Sequence, residues 1–182
     1  MILSEAQVIF TDSSTSHHLK HRLWRSNALK LLLLNGPNLN LLGEREPELY
    51  GDQGLREIEV SLSARASRLG IELICEQSNH EGGLIDIIHQ HRKLGLQAVD
   101  GVIINPGGYT HTSVSLRDAL IASQLPFIEI HLTNLAAREP FRQRSLISDV
   151  ALGTIGGFGI YGYELALLAI EHHLKNERSI SK

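Results

Sequence analysis

Leu31-Leu32-Leu33-Leu34-Asn35-Gly36-Pro37-Asn38-Leu39-Asn40-Leu41-Leu42-Gly43-Glu44-Arg45-Glu46-Pro47-Glu48-Leu49-Tyr50-Gly51 begins with four consecutive leucines and breaks at once into Asn, Gly and Pro. A strand buried on both faces of a parallel sheet reads as such an unbroken apolar run. The abrupt polar ending marks a strand that delivers its backbone to a pocket, because ligands of open α/β sheets sit beyond the carboxyl ends of the strands.

Working outward, β-rich runs alternate with helical ones from Lys30 onward. The expected strands are Lys30 to Asn35, Ile71 to Gln77, Val99 to Asn105, Phe127 to His131 and Val150 to Gly156. Leu55, Ile58, Leu62, Ala66 and Leu69 step by three and four, an apolar helix stripe closed by Gly70. A second helix is expected after Ser78-Asn79-His80-Glu81, which has capping-box spacing, and continues to Gly95. A third spans about Thr112 to Gln124 and stops before Pro126, and a fourth spans about Gly162 to Lys175. Five strands and four helices in alternation, without repeats or linkers, predict a doubly wound, three-layer α/β domain with a five-stranded parallel sheet. Its expected extent is residues 30–176, with 177–182 as a tail. Residues 1–29 are Ser/Thr-rich, then basic, without helical period or the ordered regions of a secretory signal. They read as a loosely ordered N-terminal extension or a mis-assigned start.

The chain has 182 residues, 42% hydrophobic and 20% charged, with a formal charge of -3. That balance is globular and gives no reason to expect nucleic acid or an acidic membrane surface. No apolar run approaches the roughly 18 residues of a membrane span. Cys75 is the only cysteine, which excludes an intrachain disulfide and suits a reducing, cytoplasmic setting. It reads as a small buried hydrophobe.

Gly157-Phe158-Gly159-Ile160-Tyr161-Gly162 matches G-x-G-x-x-G. In a dinucleotide-binding domain that pattern lies in the first βα turn, with an acidic residue roughly 20 positions later. Here it lies in the last unit, so its glycines are expected to serve a tight turn and close helix-sheet packing.

Polar residues at three strand ends form the stronger pattern: Asn35-Gly36-Pro37-Asn38, Asn105-Pro106-Gly107-Gly108-Tyr109-Thr110-His111-Thr112-Ser113, and Glu129, His131 with Thr133-Asn134. In a parallel sheet these ends share one edge. Glu129 and His131, two apart on a strand, face the same way, so the carboxylate can orient the imidazole. Free amides among Thr110 to Ser113 at the start of a helix favour an anion, and amides after His131 are a second place for a carboxylate. Arg138, Arg142 and Arg144 follow in a segment able to close over the site. No lysine sits at a strand's carboxyl end, no Cys/His cluster suggests zinc, and no G-x-S-x-G elbow is present. The bases left are His131, and Tyr50 beside Arg45. A phenol ionises near pH 10, so acting as a base at neutral pH requires roughly 4 kcal/mol of stabilisation of its anion, which nearby desolvated arginines can supply. A non-catalytic module that binds a small anion with the same amides is the competing reading; it requires neither Tyr50 nor Arg45.

Together, Asn35 to Gly43, Arg45-Glu46-Pro47, Tyr50-Gly51, Asn105 to Ser113 and Ile128-Glu129-Ile130-His131 closely resemble type II 3-dehydroquinate dehydratase, in unbroken order over about Lys30 to Leu174. The resemblance implies a flavodoxin-like fold and dehydration of 3-dehydroquinate to 3-dehydroshikimate, in the shikimate route to aromatic amino acids, with no cofactor, metal or lysine imine. It makes Tyr50 the base that removes the C2 proton and Arg45 the group that keeps Tyr50 ionised. Asn38 would hold a water supporting the enolate oxygen, and His131, oriented by Glu129, would protonate the departing C1 hydroxyl. Asn105, His111 and Arg142 would hold substrate hydroxyls, and the backbone amides of Leu132 and Thr133 its carboxylate. Asp118 would reach the site of a neighbouring subunit in a dodecamer assembled as a tetramer of trimers. The segment from about Asn40 to Gly51 would be a lid. The same chemistry serves catabolism of quinate.

Overall fold

The computed structural model describes residues 28–44 and 53–180. Its sheet has five parallel strands: β1 (Leu29–Asn35), β2 (Ile71–Gln77), β3 (Gly101–Asn105), β4 (Phe127–His131) and β5 (Gly153–Gly156). They lie in the order β2-β1-β3-β4-β5. The long helices are α1 (Leu55–Arg68), α2 (Glu81–His91), α3 (Val114–Ser123) and α4 (Tyr161–Ile180). The order reverses between β1 and β3, which creates the crevice where ligands of doubly wound sheets bind.

Leu31, Leu32, Leu33 and Leu34 are all fully buried because β1 lies second in the sheet, with helices over both faces. Leu31 and Leu33 join Ile58, Leu62, Leu167 and Ile170 on the α1/α4 side, while Leu32 and Leu34 join Leu84, Ile88, Leu116 and Leu120 on the α2/α3 side. Each such leucine contributes roughly 1.5–3 kcal/mol through burial. This alternation governs the site, since it determines which face each strand-end side chain meets.

Several expected boundaries move for local reasons. Strand β3 starts two residues later than expected, where Asp100 Oδ2 accepts the Lys30 amide at 2.7 Å and Val99 N–H turns back to His91 O. Strand β5 shortens because the amides of Val150 and Ala151 both go to Ile147 O in a turn. Helix α2 begins at Glu81, not under a Ser78 capping box: Ser78 Oγ accepts from His80 N at 3.0 Å and makes its own turn. Helix α4 continues to Ile180, so residues 177–180 of the expected tail are helical.

The glycines of the G-x-G-x-x-G stretch serve the turn. Gly157 and Gly159 have φ of +90° and +56°, and a Cβ on Gly157 would stand 3.2 Å from Asn134 Cβ. No described helix is long and apolar enough to cross a membrane.

Candidate active site

At the carboxyl edge of the sheet the ends of β1, β3 and β4 surround a cleft of about 130 Å³, open to solvent, lined among others by Asn38, Asn105, His111, His131, Thr133 and Arg142. Two interlocked turns build its floor. The Gly36 amide donates to Asn105 O at 2.7 Å. A Cβ on Gly36 would fall 2.5 Å from Pro106 O, and one on Gly107 3.0 Å from Pro37 O. Two main chains therefore touch where any side chain would separate them. Asn38 follows in the left-handed region (φ 66°), which asparagine tolerates. Its amide donates to Asn79 Oδ1 at 2.9 Å, an oxygen that also accepts from Gln77 Nε2 at 3.0 Å. The end of β2 thus braces the Asn38 turn, a contact with no signature in the Asn38 motif itself.

Glu129 and His131 share the α2/α3 face of β4, as their spacing requires. His131 Nε2 lies 2.6 Å from Glu129 Oε1, with Glu129 fully buried and His131 6% exposed. With Nε2 engaged, Nδ1 is the ring nitrogen left for a ligand. Thr110 Oγ1 donates to Glu129 Oε1 at 2.5 Å, and Ser145 Oγ lies 2.9 Å from both carboxylate oxygens. Ser145 Oγ accepts the amides of Ile147 and Ser148 at 3.1 and 3.0 Å, so its proton is left to aim at Glu129. A buried carboxylate needs such donors. Ser145 carries no local sequence signal, because only folding brings it beneath β4.

The segment that carries Arg142 is stapled to the turn after β3. Leu146 N–H donates to Thr110 O at 2.7 Å, and His111 Nδ1 lies 2.8 Å from Arg144 O. Arg117 of α3 holds Asp149 with both terminal guanidinium nitrogens, and this pairing lowers the Asp149 carboxyl below its ordinary value. Arg142 stands over the Phe141 ring, 5.3 Å from its centre. Of the three arginines expected near the site, Arg138 and Arg142 line the cleft, whereas Arg144 contributes its carbonyl. Leu132 and Thr133 border the cleft directly beyond His131.

One expected anion site is not formed. The amides of Thr112 and Ser113 both go to Tyr109 O, at 3.2 and 2.9 Å, and Ser113 Oγ accepts from Leu116 N at 2.8 Å. A 3-10 turn (Gly107–His111) intervenes and the helix begins only at Val114, capped by the Ser113 side chain. Asp118 is exposed on α3, and this chain's cleft lining does not include it. Arg45 and Tyr50 lie outside the described residues, as does most of the expected lid. The flanks of that stretch meet: an added Cβ on Gly54 would be 3.5 Å from Leu42 O, and Leu42 lines the cleft. Among the described residues, no group of three or more His, Cys, Asp or Glu side chains is arranged to hold a metal ion.

Known proteins share this architecture and sequence. The sequence profile of the family described as dehydroquinase class II matches residues 29–171. A 3-dehydroquinate dehydratase of Prochlorococcus marinus (strain MIT 9211) is 54% identical over 148 residues, covering 81% of this chain and 97% of that protein. A catabolic 3-dehydroquinase of Emericella nidulans is 51% identical, covering 84% of this chain and 95% of that one. The crystal structure of type II dehydroquinase from Butyrivibrio crossotus DSM 2876 superposes with a TM-score of 0.75 at 40% identity, covering 80% of this chain and 98% of that chain. With the profile spanning most of its length and relatives above half identity covering four fifths of it, the chain belongs to the class II dehydroquinase family.

Proposed function

We propose that the cleft dehydrates 3-dehydroquinate to 3-dehydroshikimate, as a hydro-lyase of the shikimate route, by a stepwise anti elimination through an enolate. The single observation that carries the reading is the buried Glu129–His131 pair opening onto the same cleft as Asn105, His111 and Arg142. Tyr50 removes the C2 proton beside the ketone, and Arg45 stabilises its phenolate. Asn38, on its left-handed turn at the cleft rim, holds a water against the developing enolate oxygen. His131 then protonates the departing C1 hydroxyl, its ring oriented by Glu129. Asn105, His111 and Arg142 bind substrate hydroxyls, and the amides of Leu132 and Thr133 bind the carboxylate.

A lid over about Asn40 to Gly51 excludes water on closing. Asp118, exposed on α3, acts in the cleft of a neighbouring subunit within a cytoplasmic dodecamer assembled as a tetramer of trimers. The catalytic unit is the domain that runs from Leu29 at the start of β1 to Ile180 at the end of α4, with the residues before it an N-terminal extension. The chemistry needs no metal or cofactor.

The test follows the ultraviolet absorbance of the conjugated enone product after 3-dehydroquinate is added. Wild-type protein produces it, and Tyr50→Phe binds ligand without turnover. Retained turnover in Tyr50→Phe removes that residue from the base role. No enone from well-folded wild type overturns the function and leaves an anion-binding module.

A further inference from the structure

Asn35 and Asn105 are the last residues of β1 and β3 and are register partners in the sheet. Both are buried and face the α1/α4 layer, where Tyr163 of α4 lies beneath them, 1% exposed. The Tyr163 hydroxyl donates to Asn35 Oδ1 at 2.7 Å and accepts from Asn105 Nδ2 at 3.1 Å. Asn105 Oδ1 in turn accepts from Gly107 N at 3.3 Å, and Asn35 Nδ2 donates to Glu59 Oε1 at 3.4 Å. The result is one directed chain: Gly107 N–H to Asn105, Asn105 to Tyr163, Tyr163 to Asn35, and Asn35 to the Glu59 carboxylate.

Direction is the substance of this chain. A phenol has one proton. Burial pushes the Tyr163 phenol well above its ordinary range, so the hydroxyl stays protonated. With that proton given to Asn35, Tyr163 offers Asn105 only an acceptor, and Asn105 must present its NH2 end to it. A flipped Asn105 would set two oxygens together and aim its NH2 at the Gly107 amide, two unsatisfied contacts in a buried place. The orientation leaves one Nδ2 hydrogen and one Oδ1 lone pair, both of fixed direction, for a ligand in the cleft that Asn105 lines.

We propose that Tyr163 is a positioning residue of the reaction site, whose hydroxyl, anchored on Asn35, sets the amide orientation with which Asn105 binds a substrate hydroxyl. This rests on the reading of Asn105 as a substrate ligand. It assigns a role to a residue of the last helix that otherwise reads as core.

The test is a kinetic cycle on the full chain with 3-dehydroquinate, using Tyr163→Phe, Asn105→Ala and the double variant, each checked for native melting. Tyr163→Phe is expected to raise KM roughly tenfold with kcat changed less than about twofold, the signature of lost uniform binding. In the Asn105→Ala background the same substitution is expected to add less than about twofold in kcat/KM, because its target is gone. Asn35→Ala, which frees the Tyr163 proton to turn toward Asn105, keeps the test open if Tyr163→Phe folds poorly; a severalfold rise in KM is expected, again absent without Asn105. Penalties that persist undiminished in the Asn105→Ala background overturn the positioning role while leaving Asn105 as a ligand. An Asn105→Ala variant with wild-type kcat/KM overturns the reading of Asn105 and the proposal with it.

Discussion

Glu129 Oε1 and His131 Nε2 stand 2.6 Å apart on one face of β4, and the carboxylate is fully buried while the imidazole reaches the cleft. Thr110 and Ser145 aim their hydroxyl protons at the same carboxylate. Four residues from three parts of the chain therefore determine how one ring faces the cleft.

Replacing the carboxylate by an amide should reveal this arrangement. Glu129→Gln removes the charge beside the ring and places an NH2 group among hydroxyl donors. We expect kcat to fall about 10²- to 10³-fold, as for loss of a general acid, with about 1–3 kcal/mol of stability lost to the unsatisfied donor. Ser145→Ala should cost a similar amount of stability with a smaller loss in kcat, because Thr110 still donates. Enone absorbance and urea unfolding measure both.

Gly36→Ala tests the interlocked floor of the cleft. The new methyl must enter a space 2.5 Å from Pro106 O, which is backbone and has no side chain to move aside. The turns after β1 and β3 must separate, misplacing Asn38 relative to Asn105. We expect a destabilisation of about 1–3 kcal/mol, as for overpacking, together with a loss of at least tenfold in kcat/KM from the displaced rim. Near-wild-type kinetics in a stable variant would exclude a tight floor as a requirement.

Glu59 predicts a pH effect on stability. Desolvation raises its carboxyl above 4.5, opposed by the bond from Asn35 and reinforced by Glu76. The folded state therefore holds this proton to higher pH than the unfolded chain. That contribution is complete below 4.5 and is lost as pH rises through the raised value. Glu59→Gln, whose oxygen can still accept from Asn35, should flatten this decline, so that its melting temperature relative to wild type increases as pH rises above 4.5. A constant difference across that range would refute the assignment.

Cys75 should be inert in the folded protein. Burial raises its thiol from 9.0 to about 11, despite the contact with Ser63 Oγ at 3.8 Å. The thiolate is the reactive species. Alkylation by iodoacetamide at pH 8 is expected to be about a hundredfold slower than in denaturant, where the ordinary value returns. Comparable rates in both states would mean that the thiol is accessible and unperturbed.

The leucine run, the alternation of strands and helices, and the polar strand ends suffice to predict a parallel α/β domain with its site at one edge. These features are local: a run of four leucines can only be buried on both faces, and Glu129 with His131 must face one way whatever surrounds them. Helix starts were less legible. The Ser78 box fails because Ser78 Oγ accepts the His80 amide in its own turn while the Ser78 amide goes to Asn35 O, and the open amides near Thr110 fail because a 3-10 turn satisfies donors there more locally. The motif around Asn38 identified the residue but not its brace at Asn79, which lies 41 positions away. Ser145 beneath Glu129, and Tyr163 bridging Asn35 and Asn105 from 128 and 58 residues away along the chain, follow from packing alone. A serine in a loop and a tyrosine in an apolar helix stripe carry no information about their partners until the layers close. Residue type and spacing determined what the strand ends present, whereas the direction in which each amide, hydroxyl and imidazole points was decided by the buried hydrogen-bond partners that only the tertiary structure supplies.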